Sequence, residues 1–202
     1  LENQNFSTET DAYNVAVGSK AGEAVTTGIY NTLVGGLAGD ALTDADYNVA
    51  IGGNALGANT VGSRIVAVGY GALTSHNPAT ATDSYNTAVG MLAGENVTTG
   101  IKNTLIGGLS GDALTEGANN TAVGFQALTS DTLGSRSVAI GQFALNNQNF
   151  TTATTAYNTA MGYNAGVGIT TGIQNTLIGG LAGDSLTTAE SNVCVGVGAL
   201  GT

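Results

Sequence analysis

Residues 103–107 read Asn-Thr-Leu-Ile-Gly, and residues 120–124, seventeen positions on, read Asn-Thr-Ala-Val-Gly. Variants of this phrase close on Gly18, Gly35, Gly52, Gly69, Gly90, Gly107, Gly124, Gly141, Gly162, Gly179 and Gly196. The steps between these glycines run 17, 17, 17, 21, then 17, 17, 17, 21, then 17, 17. Coils of 17 residues, 21 in every fourth, therefore sit inside a super-repeat of 72. A fixed period near twenty residues is the mark of a solenoid. The reading is one all-β parallel solenoid of eleven coils over 1–202. Its super-repeats are 1–72, 73–144 and 145–202, the last incomplete.

The five positions of the phrase, slots one to five, predict a strand. Slot one is Asn14, Asn31, Asn48, Asn86, Asn103, Asn120, Asn158, Asn175 and Asn192, with Ile65 and Ser137 in the other two coils. Slot two is always Val or Thr, and slot four is Val, Ile or Met. Slots two and four share one strand face and slot three takes the other. Neither face carries charge, so burial on both is expected, as in stacked parallel sheets. Equivalent asparagines are expected to stack into a ladder of amides. Slot three is Ala or Leu, apart from Cys194, the single cysteine, read as a small buried hydrophobe. Because so short a coil encloses little, slot three is expected to bury against other copies of the chain. Leu33, Leu105 and Leu177 are its large members and are the expected oligomer contacts.

The net charge is −10, with only Lys20, Arg64, Lys102 and Arg136 positive. So acidic a chain repels phosphate backbones, which argues against nucleic-acid binding. No 18-residue apolar run exists, so no membrane insertion is expected of this segment. The chain opens on Leu1 rather than Met, and the expectation is an excerpt from a longer protein.

The 21-residue steps add four residues within 74–84 and 146–156, and residues 2–12 are a third copy. Insertions at one place per repeat often form a binding face. Phe6, His76, Pro78 and Phe150 are the candidate binding residues of these loops. His76 is the only histidine, which argues against Ser/His/Asp and zinc chemistry. Asp40, Asp112 and Asp184 recur in equivalent Gly-Asp turns. They read as turn caps, with a shared cation about an oligomer axis as the other possibility. No catalytic residue, cofactor or metal is expected. Val-Thr-Thr-Gly or its Ile variant recurs at Val25, Val97 and Ile169, too sparsely for a regular ice plane.

The segments RSVAIG (136–141), RIVAVG (64–69) and YNVAIGGNAL (47–56) resemble the head repeats of YadA-like trimeric autotransporter adhesins. NNTAVGFQALTS (119–130) and YNTAVGMLAG (85–94) are similar to repeats of phage tail-fibre surface proteins. The resemblance covers essentially the whole chain. It implies a left-handed β-roll, homotrimeric about its long axis, on an extracellular cell surface or virion fibre. The function expected is non-enzymatic: a rigid spacer with a lateral surface for a host glycan or protein receptor. The alternatives are an ice-binding solenoid and a polysaccharide-degrading phage fibre.

Overall fold

A computed structural model of the chain describes residues 1–201, and among them there is no helix. Each phrase supplies a three-residue strand from slots two to four, beginning Val15–Val17, Thr32–Val34 and Val49–Ile51 and ending at Val193–Val195. Each strand pairs in parallel with the next in chain order, giving one 11-stranded sheet. Slot lies on slot throughout: Thr104 on Thr121, Leu105 on Ala122 and Ile106 on Val123. The register survives the longer step, where Val66 lies on Thr87. The four added residues are absorbed outside this sheet. They accompany short parallel bridges, Gly62–Ser63 with Thr82–Asp83 and Gly134–Ser135 with Thr154–Thr155.

The glycine of slot five is required by stacking. Gly107 has φ 131°, and a Cβ there would lie 2.5 Å from the Gly124 carbonyl oxygen of the next coil. The chain bends at this glycine and leaves the sheet. Three further residues per coil take left-handed backbone: the residue before slot one, and the second and fourth after the glycine. In one coil these are Lys102, Leu109 and Gly111, with φ 59°, 56° and 55°. Each non-glycine residue held so costs about 1 kcal/mol. Hydrogen bonds to the preceding coil offset this, with the Leu109 N–H on the Met91 carbonyl (3.0 Å) and the Lys102 N–H on Ser84 (2.8 Å).

The interior reverses the expected facing. Slot three points into the chain's own coil, and Leu33, Leu105 and Leu177 are fully buried there in the single chain. They have no surface left to offer a partner, which corrects their assignment as oligomer contacts. The coil is so narrow that one inward residue per strand fills it, which is why Ala serves in most coils. Leucine fits where the fourth residue after slot five is glycine in its own coil and the one before. A Cβ on Gly94 or Gly111 would lie 2.7 Å from a Leu105 methyl carbon. Where slot three is Ala50 or Ala67, the same site holds the buried Leu56 or Leu73. The alternation of two glycines and two leucines within each super-repeat is thus volume complementarity in a close-packed interior.

Candidate interaction surface

The asparagines of slot one are a structural spine. The Asn103 Nδ2 donates to the Gly117 carbonyl (2.8 Å), and its Oδ1 accepts the Asn120 N–H (2.9 Å). Asn31, Asn48, Asn86, Asn120, Asn158 and Asn175 are likewise buried, Asn14 and Asn192 half-buried at the ends. The rungs run mainly from amide to backbone rather than from amide to amide as expected. Only near the C-terminal end do amides pair, with the Asn192 Nδ2 donating to the Asn175 Oδ1 (2.9 Å). Backbone bonds prevail because each amide reaches orphaned peptide groups of the turn, which must be satisfied when buried.

The long loops turn their distinctive side chains inward. His76 is fully buried, Phe150 is 5% exposed, Pro78 is buried against Gly62, and Phe6 is half-buried. As receptor contacts His76, Pro78 and Phe150 are therefore corrected: they plug the wider coil, while Phe6 keeps part of its ring at the surface. His76 Nε2 lies 2.9 Å from the Ser84 hydroxyl. In the next super-repeat Gln148 takes the place of His76. Its amide donates to Asp131 (2.7 Å) and Ser137 (2.9 Å) and accepts from Asn158 (2.8 Å). Burial pushes the Asp131 carboxyl above its usual range, opposed by the amide of Gln148 and the N–H groups of Phe150 and Gly134.

Burial pushes His76 down to about 4, although the Thr98 backbone offsets part of this. The folded chain therefore holds His76 neutral while an unfolded one protonates near the ordinary 6.5. Stability from this group is complete above that value and is lost as pH falls towards 4, by about 3 kcal/mol at most. The raised carboxyls of Asp40, Asp112 and Asp131 act in the opposite sense. His76→Gln, which copies Gln148, is expected to keep the fold and to remove most of the fall in melting temperature between about pH 6.5 and 4. Circular dichroism melts of both proteins across that window check it. An unchanged pH slope would refute the assignment.

Asp40, Asp112 and Asp184 sit half-buried at the turn. Asp112 accepts the Thr129 hydroxyl, and burial raises it and Asp40. Among the described residues, no group of three or more His, Cys, Asp or Glu is placed to hold a metal ion. Cys194 is buried. A second polar column was missed. Thr26, Thr43 and Thr60 stand one per coil, the first two donating to the carbonyl of the next (3.2 and 3.1 Å). Thr98, Thr115 and Thr132 repeat the pattern, the first two donating at 3.2 and 3.1 Å. Their 17-residue spacing stands in the sequence, but the residues around each Thr change from coil to coil, from Val-Thr-Thr-Gly at 25–28 to Leu-Thr-Asp-Ala at 42–45.

What lies outward is more telling. Slots two and four face solvent, with Ile106 and Ile178 38% exposed and Met161 40%. Around the glycine bend the next two columns expose Leu37, Tyr70, Met91, Phe125, Tyr163 and Leu181. Phe125, Phe143 and Tyr163 meet edge to face, with centroids 5.8 and 6.4 Å apart. The column before slot one carries Tyr13, Tyr30 and Tyr47, stacked 5.2 and 5.1 Å apart. Among the described residues, every exposed large hydrophobic side chain lies in these columns except Leu200, in the last coil. The remaining perimeter is turns of Thr, Asn, Asp and Gly. No helix among the described residues is long and apolar enough to cross a membrane.

Fold and surface together define a parallel β-solenoid repeat protein with one apolar side. Comparison with protein-family models, curated proteins and solved structures gave no match.

Proposed function

We propose that this chain is a non-enzymatic, homotrimeric segment of an extracellular surface fibre, a rigid spacer with a lateral attachment surface. The observation that carries the reading is the apolar strip of slots two and four and the two columns beyond the glycine bend. Eleven coils at about 4.8 Å make it roughly 50 Å long, and it is about 15 Å wide. That is a footprint of roughly 700 Å², so each of two facets offers about 350 Å², and the two contacts of one copy together reach about one partner's share of a standard interface. The occupant is a second and a third copy of this chain. The strip folds around the glycine bend, so each copy presents two facets and touches two neighbours, the arrangement that closes a ring. The resemblance of the repeats to YadA-like heads supports threefold symmetry and a left-handed roll, and with them a place on a cell or virion surface.

Lysine at both Ile106 and Ile140 puts charge in the middle of the strip without touching the interior. I106K/I140K is expected to leave the circular dichroism spectrum unchanged and to lower the mass from three chains to one, read by light scattering on a sizing column. A variant that assembles like the parent would overturn the interface.

One observation favours a second reading, ice binding. Thr32, Thr87, Thr104, Thr121, Thr159 and Thr176 point outward from slot two beside a column of Val, Ile and Met. Thermal hysteresis from the pure protein would support it; its absence leaves the strip to the partner chains.

A further inference from the structure

Three of the four cations in a chain of net charge −10 stand in a single column, the one preceding the asparagine spine. They are Arg64, Lys102 and Arg136, all exposed. The fourth, Lys20, lies elsewhere and pairs with Glu23 at 3.1 Å. Each cation of the column is two coils from the next, roughly 10 Å along the rod. Tyr85 and Asn119 fill the places between, and Tyr47 and Tyr157 flank the row. The Arg64 guanidinium lies 4.9 Å from the centre of the Tyr47 ring and 3.2 Å from Asp83. That of Arg136 lies 5.8 Å from the centre of the Tyr157 ring. The tyrosines are 47% to 54% exposed.

We propose that this ridge is a binding track for an extended acidic polysaccharide with a carboxylate on every second sugar or more often. The inference rests on the reading of the chain as a surface segment and names the ligand class of its lateral face. Three features point to that ligand. The cation spacing is about the length of a disaccharide in an extended chain. Tyrosine and asparagine between the cations offer hydroxyl and amide groups to sugar hydroxyls, and ring faces and edges to sugar C–H bonds. The charge is sparse: duplex DNA carries a charge every ~1.7 Å, and the acidic remainder of the rod repels so dense a polyanion. Each guanidinium is already held against a tyrosine ring of the ridge, so binding immobilises less side chain, and Arg64 exchanges Asp83 for a carboxylate of the sugar. The ridge runs beside the apolar strip, one column before the asparagine spine.

The test is calorimetric titration of the assembled protein with polygalacturonate. R64Q/K102Q/R136Q removes the cations, and glutamine is compatible with this backbone because Gln174 stands in the same column with φ 60°. K20Q is the control. The parent and K20Q are expected to bind with an affinity that falls as NaCl screens the charges, and the triple variant to bind at least tenfold more weakly. Equal binding by the triple variant overturns the proposal. So does a parent that ignores polygalacturonate but binds phosphatidylserine vesicles. Sedimentation of the same samples separates the two readings. A trimer that ignores the polymer overturns the track alone, and a monomer that binds it overturns the trimer alone.

Discussion

Gly107→Ala is expected to destabilise the rod by at least about 4 kcal/mol and to split its unfolding into two transitions. Gly107 has φ 131°, where an L side chain is strained, and the added Cβ would lie 2.5 and 2.6 Å from the Gly124 carbonyl oxygen and carbon. Those atoms are backbone of the next coil, where the Gly124 carbonyl accepts the Ala127 N–H and the Gly124 N–H donates to the Ile106 carbonyl (2.7 Å), so they cannot yield as the end of a side chain would. The only relief is to part the two coils. A solenoid is held by nearest-neighbour contacts, so a parted junction uncouples the coils on either side. Gly36→Ala is the control: a Cβ there has only the Ser19 carbonyl, at 3.9 Å. Thermal melts and hydrogen exchange on both variants check the contrast. A single transition near the parent's in Gly107→Ala would contradict the account of the bend.

The second large effect is expected from Asn103→Ala, at roughly 3 to 5 kcal/mol. Asn103 is fully buried. Its loss leaves the Gly117 carbonyl and the Asn120 N–H without the partners they have at 2.8 and 2.9 Å. Each stranded group costs about 1–3 kcal/mol in a dry interior. Thr104→Val, one residue on, faces outward and copies the slot-two Val of other coils, so it is expected to change stability by under about 0.5 kcal/mol. Urea denaturation of both variants measures the difference. Equal midpoints would mean that the asparagine spine contributes nothing to coil stacking.

The period, the strand and the asparagine column were legible because stacking imposes them on every coil alike. The direction of slot three was not. Alternation separates two faces only when one is polar, and here Thr, Val, Ile, Ala and Leu are neutral on both. Leu105 fits a 17-residue coil only because Gly94 and Gly111 make its space. The Gly-Gly-Leu-Leu order of the neighbouring column carried that information all along. His76 and Phe150 misled for a related reason. An insertion lengthens the loop but also widens the coil beneath it, and the largest side chains fill that width. The cation column was in plain sight, since Arg64 and Arg136 share a position in the super-repeat. Lys102 joins it only when coils rather than super-repeats are aligned.

What covers the apolar strip decides the assembly. Sedimentation equilibrium of the unmodified chain, over a range of concentrations, weighs the assembly without labels or substitutions. The predicted result is a single species of three times the chain mass. A monomer at every concentration, with the strip open to solvent, would contradict it, and a species of two chains would contradict the threefold ring.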